Sequence, residues 1–381
     1  MVAAGPVEVG LFEPRHLPAL AAFYRDIWDP AATEASVARA RAEAAAHNPV
    51  APGSEVPTFL FCQGGVVLGH LSTIPVQLWT GGGERPAYWF IGFMVRPEQR
   101  NGPVGALLLR EAVKQLELTL SLTVALPSVR LFRATGFQEL GIVPNYIRVL
   151  RAGNVLRRLD LEAVGLTSLP GPLRAAIGLA QRPALAAVAG SVAQLAVGTL
   201  ATLRSFGGHG RFARTTPARS ELDPLWEEVR GGMGLLAARD GAYLERRYQT
   251  ENGPYRAVEL HFGGRFRGAA YVREPRADSD PRLKGIRVAT LSDLMFPTER
   301  PDLGLRLLRG AEIVARELGA DALLASLSHR TVPPLLLRRG FVKVGGNLRF
   351  LVRDARKELP GATALEDWWV SRGDMNADSV F

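Results

Sequence analysis

The chain has 381 residues, 47% hydrophobic and 22% charged, which is enough for two domains of ordinary globular composition. Lysine and arginine outnumber the acids 46 to 37, and the net charge of +9 suits anionic partners such as phosphate-bearing small molecules or membrane lipid. No Lys/Arg block carries interleaved aromatics, so nucleic acid is not expected as a partner. The single cysteine, Cys62, excludes an internal disulfide and fits a reducing cytoplasm. It lies in the apolar run TFLFC, where it is expected to be buried and inert. Glu8, Glu13 and Arg15 argue against a signal peptide at the start of the chain.

In chain order, Val7 to Phe12 reads as a strand, and Pro14 to Trp28 places Leu17, Leu20, Ala21, Tyr24, Ile27 and Trp28 at helical spacing. Thr33 to His47 is an Ala-rich helix with Thr33 as N-cap and Glu34 in its first turn. Thr58 to Cys62 and Val66 to Thr80 form a hairpin around Gln63-Gly64-Gly65. Tyr88 to Val95 (YWFIGFMV) is a buried strand, followed by the loop Pro97 to Gly102 and a helix starting near Pro103, with Val104, Leu107, Leu108 and Val113 on one face. Leu116 to Leu126 is a strand, Val129 to Thr135 a helix closed by Gly136, and Phe137 to Leu150 a returning strand.

Strand, glycine-bearing turn and helix is the layout that aims bare main-chain N–H groups at an anion, and the helix dipole adds positive charge there. The stretch VRPEQRNGPVGALLLREA resembles the acyl-CoA-binding motif of the GNAT superfamily of N-acetyltransferases, in which a strand ending V-x-P leads to R-x-x-G-x-G and an amphipathic helix. Arg100 and Gly105 match, whereas Pro103 replaces the middle glycine and brings no N–H, as proline can in a first helical turn. A second likeness is Leu131-Phe132-Arg133-Ala134-Thr135-Gly136-Phe137, over the family's L-Y-x-x-x-G-F. The tyrosine there often reprotonates the leaving thiolate; Phe132 cannot, and Tyr146 is the nearby candidate, with an ordinary strand tyrosine as the alternative.

The resemblance covers the first ~150 residues and implies a mixed α+β sheet fold. It also implies acetyl-CoA as acyl donor, held by Phe93, Met94 and Val95 on the fourth strand and by Arg100, Asn101, Gly102, Val104, Gly105 and Ala106 beyond it, with Arg100 near the pyrophosphate. GNAT folds supply a main-chain donor to the carbonyl oxygen from that strand, here Phe93 to Val95, and commonly a Glu or Asp base. No carboxylate lies between Tyr88 and Val95; Glu84 and Glu117 are the nearest.

Residues 151–219 are rich in Ala, Leu, Gly and Pro, and Pro183 to Leu203 carries no charge. Seven polar or helix-breaking residues dilute that run, which reads as linker helices packed between domains or peripheral on a membrane in preference to a span, with Arg204, Arg211 and Arg214 able to meet anionic lipid.

From 220 to 381 the outline repeats. Leu222 to Arg246 reads as helix, Tyr255 to His261 and Phe266 to Arg273 as a hairpin, Ile286 to Phe296 as strand, Leu303 to Leu318 as helix, Ala322 to Leu327 as strand, Thr331 to Arg339 as helix and Val342 to Val352 as strand. Gly304 lies over Gly105 at an offset of 199 and Gly340-Phe341 over Gly136-Phe137 at 204, which is the mark of an internal repeat. The expected organisation is two tandem GNAT-like domains, 1–150 and 220–381, with 151–219 between them. The second loop carries Glu299 and Asp302 where a pyrophosphate would be repelled, so CoA is assigned to the first domain.

Asp293, in VATLSDLMF, is either a buried base with a raised pKa or a solvent-facing strand residue. No His/Cys cluster has metal spacing, so no metal is expected. The segments Arg239 to Tyr248 and Asp367 to Asp374 further resemble bacterial tandem GNAT-like proteins often found with exopolysaccharide or cell-surface glycan synthesis. Three functions are open: an acyl-CoA-dependent N-acyltransferase acting on the amine of a small molecule or glycan precursor, a catalytically silent scaffold, and a peptidoglycan-bridge type of aminoacyltransferase.

Overall fold

The structure, a computed structural model, describes residues 5–158, 211–213, 217–250, 253–276, 285–359 and 364–380. The stretch 183–203 lies outside the described residues, and among those described no helix is long and apolar enough to cross a membrane. Two compact units emerge, Met1–Gly141 with Leu348–Thr363, and Ile142–Asn347 with Ala364–Phe381.

The first unit begins with β1 (Val7–Leu11), α1 (Leu17–Ile27) and α2 (Glu34–Ala46). The Thr33 side chain accepts from Ser36 N–H at 3.1 Å, which makes it the expected N-cap of α2. Then come β2 (Thr58–Gln63), β3 (Val66–Trp79), β4 (Glu84–Val95), α3 (Val104–Gln115), β5 (Leu118–Ser121) and α4 (Leu126–Ala134). The β2–β3 turn holds Gly64 and Gly65 at φ +57° and +78°, the paired left-handed geometry of a tight hairpin. β1, β2, β3 and β4 pair antiparallel in sequence order, and β4 pairs parallel with β5.

The sheet is covered on both faces, which explains the unbroken apolar run in β2. Leu60 and Cys62 point into a core with Leu20, Ala21 and Phe23 of α1 and Val37 of α2, while Phe59 and Phe61 point the other way, to Val104, Leu108 and Ala112 of α3. Cys62 is buried there, and its thiol is pushed up to about 11 by burial, in keeping with inertness.

The second unit contains α5 (Ala152–Arg158), β7 (Arg211–Ala213), α6 (Arg219–Val229), β8 (Leu236–Ala237), α7 (Gly241–Arg247), β9 (Tyr255–Phe262), β10 (Arg265–Arg276), β11 (Val288–Met295), α8 (Pro301–Glu317), β12 (Ala322–Ser326) and α9 (Val332–Arg338). β7, β9, β10 and β11 pair antiparallel in that order, and β11 pairs parallel with β12. The helix expected over Leu222 to Arg246 is two helices, because Gly231 and Gly232 close the first and Gly234 turns the chain at φ +74°. The strand expected over Leu116 to Leu126 shortens to Leu118–Ser121, since Leu126 and Pro127 open α4.

Two strands carry the chain from one unit to the other. The division falls inside β6 (Gln138–Val149) and inside β13 (Val342–Asp354). The second half of β6 pairs antiparallel with β12, Asn145 opposite Ser326 and Val149 opposite Ala322. The end of β13 pairs antiparallel with β5, Leu351 opposite Ser121. Each unit is therefore closed by the strand that the sequence order would give to the other, and the division does not fall at residue 150.

Candidate functional site

The site grows from an irregularity in β4. Across β3 and β4 the register runs Ser72 to Ile91 and then His70 to Met94, so Gly92 and Phe93 stand opposite the single residue Leu71. This is a β-bulge, and Gly92 takes φ +57°, a conformation only glycine adopts freely. β5 pairs with β4 only at Tyr88–Thr119 and Trp89–Leu120. Beyond those pairs β4 runs on through Val95, and every residue from Ile91 to Val95 is part-exposed.

The chain then turns through Pro97–Gln99 into α3. Arg96 fixes this corner: its Nε donates to Val67 O at 2.8 Å and its Nη2 meets Asp26 of α1 at 2.8 Å. Arg100 donates through Nε to Val95 O at 3.3 Å, and its side chain is exposed. The first helical bond of α3 runs from Leu107 N–H to Pro103 O, so the amides of Val104, Gly105 and Ala106 form the first turn, where no intrahelical carbonyl serves them. Asn101, Gly102, Pro103 and Ala106 are exposed, while Val104 and Gly105 are buried. Gly105 has a separate role: a Cβ there would lie 3.3 Å from Phe93 Cζ and 3.6 Å from Val95 Cγ2. Its missing side chain lets the helix sit against β4, bringing the mouth beside the bulge.

The nine residues expected to hold the donor thus fall together in the first unit. Asp293 and Tyr146 fall in the second. Tyr146 is 3% exposed, opposite Ala325 of β12, and burial raises its phenol above the usual range. Asp293 is 2% exposed. It accepts from Leu294 N–H and the Tyr248 hydroxyl, each at 3.0 Å, and pairs with Arg239 Nε at 2.8 Å. Burial raises the Asp293 carboxyl, with Arg239 opposing. It is the buried residue of the two alternatives, but its oxygens serve an internal ion cluster. Phe132, in place of the expected tyrosine, packs against Phe93 and Phe137 at 5.6 and 4.9 Å between ring centres and carries no proton to give.

The second unit repeats the same construction and fills it. Its register slips between Tyr271–Asp293 and Val272–Leu291, leaving Ser292 as the bulge, 200 positions beyond Gly92. Here a strap, residues 368–374, inserts. Gly373 N–H donates to Ser292 O at 2.8 Å, Ser328 N–H donates to Val370 O at 3.1 Å, and Ser371 bridges to Leu327 just past β12. Trp368 to Arg372 are each at most 2% exposed, and Leu291 to Met295 are all buried. At the mouth of α8 the Asp302 carboxylate takes both Arg300 Nε and Nη2 at 2.9 Å, and these bonds hold it below the usual carboxylate range.

One group of residues escaped the sequence reading. His70 on β3 is 1% exposed, with Nδ1 2.8 Å from Gly92 O and Nε2 2.9 Å from the Tyr24 hydroxyl. Trp28, at the end of α1, covers the same bulge: a Cβ on Gly92 would meet its Cη2 at 2.7 Å. Tyr24 and Trp28 read as apolar helix positions and His70 sits in a strand, so only tertiary structure brings the three together.

The overall fold recurs in solved structures. An Enterococcus faecalis protein described as a probable N-acyltransferase superimposes with a TM-score of 0.57 at 10% identity, over 92% of this chain and 72% of that one. The chain has a GNAT-type fold. A GCN5-related N-acetyltransferase from Anabaena variabilis matches with TM-score 0.54 and 10% identity, over 92% of this chain and 73% of its own. Saccharomyces cerevisiae N-myristoyltransferase with bound myristoyl-CoA matches with TM-score 0.53 and 12% identity, over 93% and 80%. No family model and no curated protein matches the sequence. Among the described residues no group of His, Cys, Asp or Glu could hold a metal.

Proposed function

We propose that the chain is an acyl-CoA-dependent N-acyltransferase whose first unit binds the donor, with acetyl-CoA as the simplest acyl form. The reading rests on one contrast between the units. Ile91 to Val95 stay part-exposed beside an uncapped helix mouth, whereas Leu291 to Met295 are buried under the strap and the mouth of α8 carries Asp302. The amides of Val104 to Ala106 would receive the pyrophosphate, with Arg100 beside them. Main-chain N–H groups of Phe93 to Val95 would receive charge that develops on the thioester oxygen as an amine attacks. With Asp293 enclosed and no carboxylate between Tyr88 and Val95, the acceptor amine would arrive as the free base, the C–S bond would break with CoA leaving as the thiolate and taking up the proton shed by the attacking nitrogen, and the protein would act by placing the donor and polarising its carbonyl. We take the two units as tandem copies, one working and one structural, and the acceptor as the amine of a small molecule or glycan precursor.

Calorimetric titration with acetyl-CoA, followed by thiol release over a panel of primary amines, tests this. No heat at millimolar acetyl-CoA refutes it. The silent-scaffold reading draws on Phe132 in the tyrosine's place and on the engaged Asp293; it predicts acetyl-CoA binding with no thiol release above the uncatalysed rate.

A further inference from the structure

We infer that His70 is the positioning residue that aims the main-chain donor of β4 at the reacting carbonyl. The inference deepens the acyl-transfer reading and rests on it.

The argument starts from the hydrogen bonds. Gly92 O can only accept, so the 2.8 Å contact requires the proton of His70 to sit on Nδ1. In a neutral imidazole Nε2 is then bare, and the Tyr24 hydroxyl must donate to it across 2.9 Å. Burial holds His70 at about 4, with the charge of Arg41 acting in the same direction, so the ring is neutral at physiological pH. Tyr24 therefore fixes the tautomer, and the tautomer fixes the bond to the bulge.

That bond sets the direction of a peptide plane. The backbone has no cis bonds among the described residues, so the 92–93 unit is trans and planar. Its C=O and N–H point opposite ways. Holding Gly92 O toward His70 turns the Phe93 N–H away from it, off the face that α1 covers. In a regular strand the neighbouring ladder would set this plane; at a bulge the ladder is interrupted and some other group has to. Gly92, at φ +57°, is free to rotate, and His70 is the side chain that stops it. Trp28 lies over Gly92 and packs edge-on to His70 at 6.1 Å between ring centres. None of these groups needs to touch the acyl donor for the effect to operate.

The test uses the full chain in three arms. Long-range ¹⁵N–¹H spectra of the wild type should show His70 protonated at Nδ1 and bare at Nε2; the opposite tautomer overturns the inference. Thiol release from acetyl-CoA should fall in His70→Leu by roughly 10- to 100-fold in kcat with little change in KM, the scale of a misdirected oxyanion donor. His70→Asn places an amide N–H near the position of Nδ1 and should recover most of that loss. Rescue is what a purely structural histidine would not give, so His70→Asn no better than His70→Leu overturns the inference. So does a His70→Leu enzyme as fast as wild type. Tyr24→Phe is the gentler variant if His70→Leu does not fold, and it should mix the tautomers and lower kcat less; wild-type rate and tautomer in Tyr24→Phe also count against it. Absence of thiol release from the wild type refutes instead the acyl-transfer reading underneath.

Discussion

Asp293→Asn separates the two roles open to this carboxylate, because a base and a structural anchor fail differently. Asp293 and Asp374 share the guanidinium of Arg239, which is fully buried, with Asp374 taking Nη2 through both oxygens at 2.9 Å. Asparagine at 293 keeps one acceptor oxygen but presents an NH₂ to groups that all donate: Arg239 Nε, the Tyr248 hydroxyl and Leu294 N–H. Arg239 retains Asp374, so no buried charge is stranded, and the loss is that of a charge-assisted hydrogen bond, about 2 kcal/mol. Arg239→Met strands two buried carboxylates and should cost more, roughly 3–5 kcal/mol. Equilibrium unfolding in urea, read beside thiol release from acetyl-CoA, measures both. The structural account requires Asp293→Asn to lower the unfolding midpoint, Arg239→Met to lower it further, and the folded Asp293→Asn protein to retain turnover. A variant with the wild-type midpoint and no turnover would refute it and make Asp293 the base.

Three further outcomes follow from the first unit. His70 binds a proton at about 4 when folded and near 6.5 when unfolded, so the unfolded state gains protons first on acidification; stability is complete above pH 6.5 and declines toward pH 4 by up to about 3 kcal/mol. A pH series of melting temperatures should show this slope flatten in His70→Asn; an unchanged slope means that other groups carry it. Gly92→Ala puts a side chain on a left-handed residue and within 2.7 Å of Trp28, and should destabilise by about 1–2 kcal/mol from backbone conformation alone. A wild-type urea midpoint would deny the bulge its strain. Pro103→Asp copies the residue found 199 positions later at the mouth of α8, and a carboxylate there favours a helix N-terminus while repelling pyrophosphate. Acetyl-CoA affinity should fall roughly tenfold or more with no loss of melting temperature, and unchanged affinity would move the donor away from α3.

Local signals carried much of the fold. Thr33 announced its helix, the glycine pair 64–65 its hairpin, and the V-R-P-E-Q-R turn its place before α3, because each is a short-range preference of the residues themselves. What the sequence could not express was partnership over distance. β6 and β13 both read correctly as strands, but nothing in their pattern says which edge each will close, since a strand carries the same alternation whichever neighbour it meets. Asp293 between Leu291 and Leu294 was readable as buried; its pairing with Arg239, 54 positions earlier, was not. Tyr24 and His70, 46 positions apart, each carry an unremarkable local pattern, and their meaning lies in the peptide plane they hold.

On the proposed reading, one backbone plan yields a site in one unit and a support in the other. A bulge followed by a diverging parallel neighbour leaves strand-edge N–H and C=O groups in want of partners, and burying them unpaired is expensive. The second unit meets that demand from its own chain. Gly373 fits beside Ser292 only because a Cβ would fall 1.8 Å from the Tyr248 hydroxyl, and Arg372 reaches Ser326 Oγ at 2.9 Å to secure the strap. The strap takes the Ser292 carbonyl and the Ser328 amide. The first unit leaves the same segment part-exposed and spends side chains on its geometry instead, with Arg96 pinning the corner, Gly105 drawing α3 against β4 and His70 turning the 92–93 peptide. On the proposed reading, main-chain groups held in place in this way gain from a ligand without reorganising, as a preorganised carbonyl-binding site requires. The proposed placement of the donor therefore rests on this contrast between Ile91–Val95 and Leu291–Met295 more than on the shared fold.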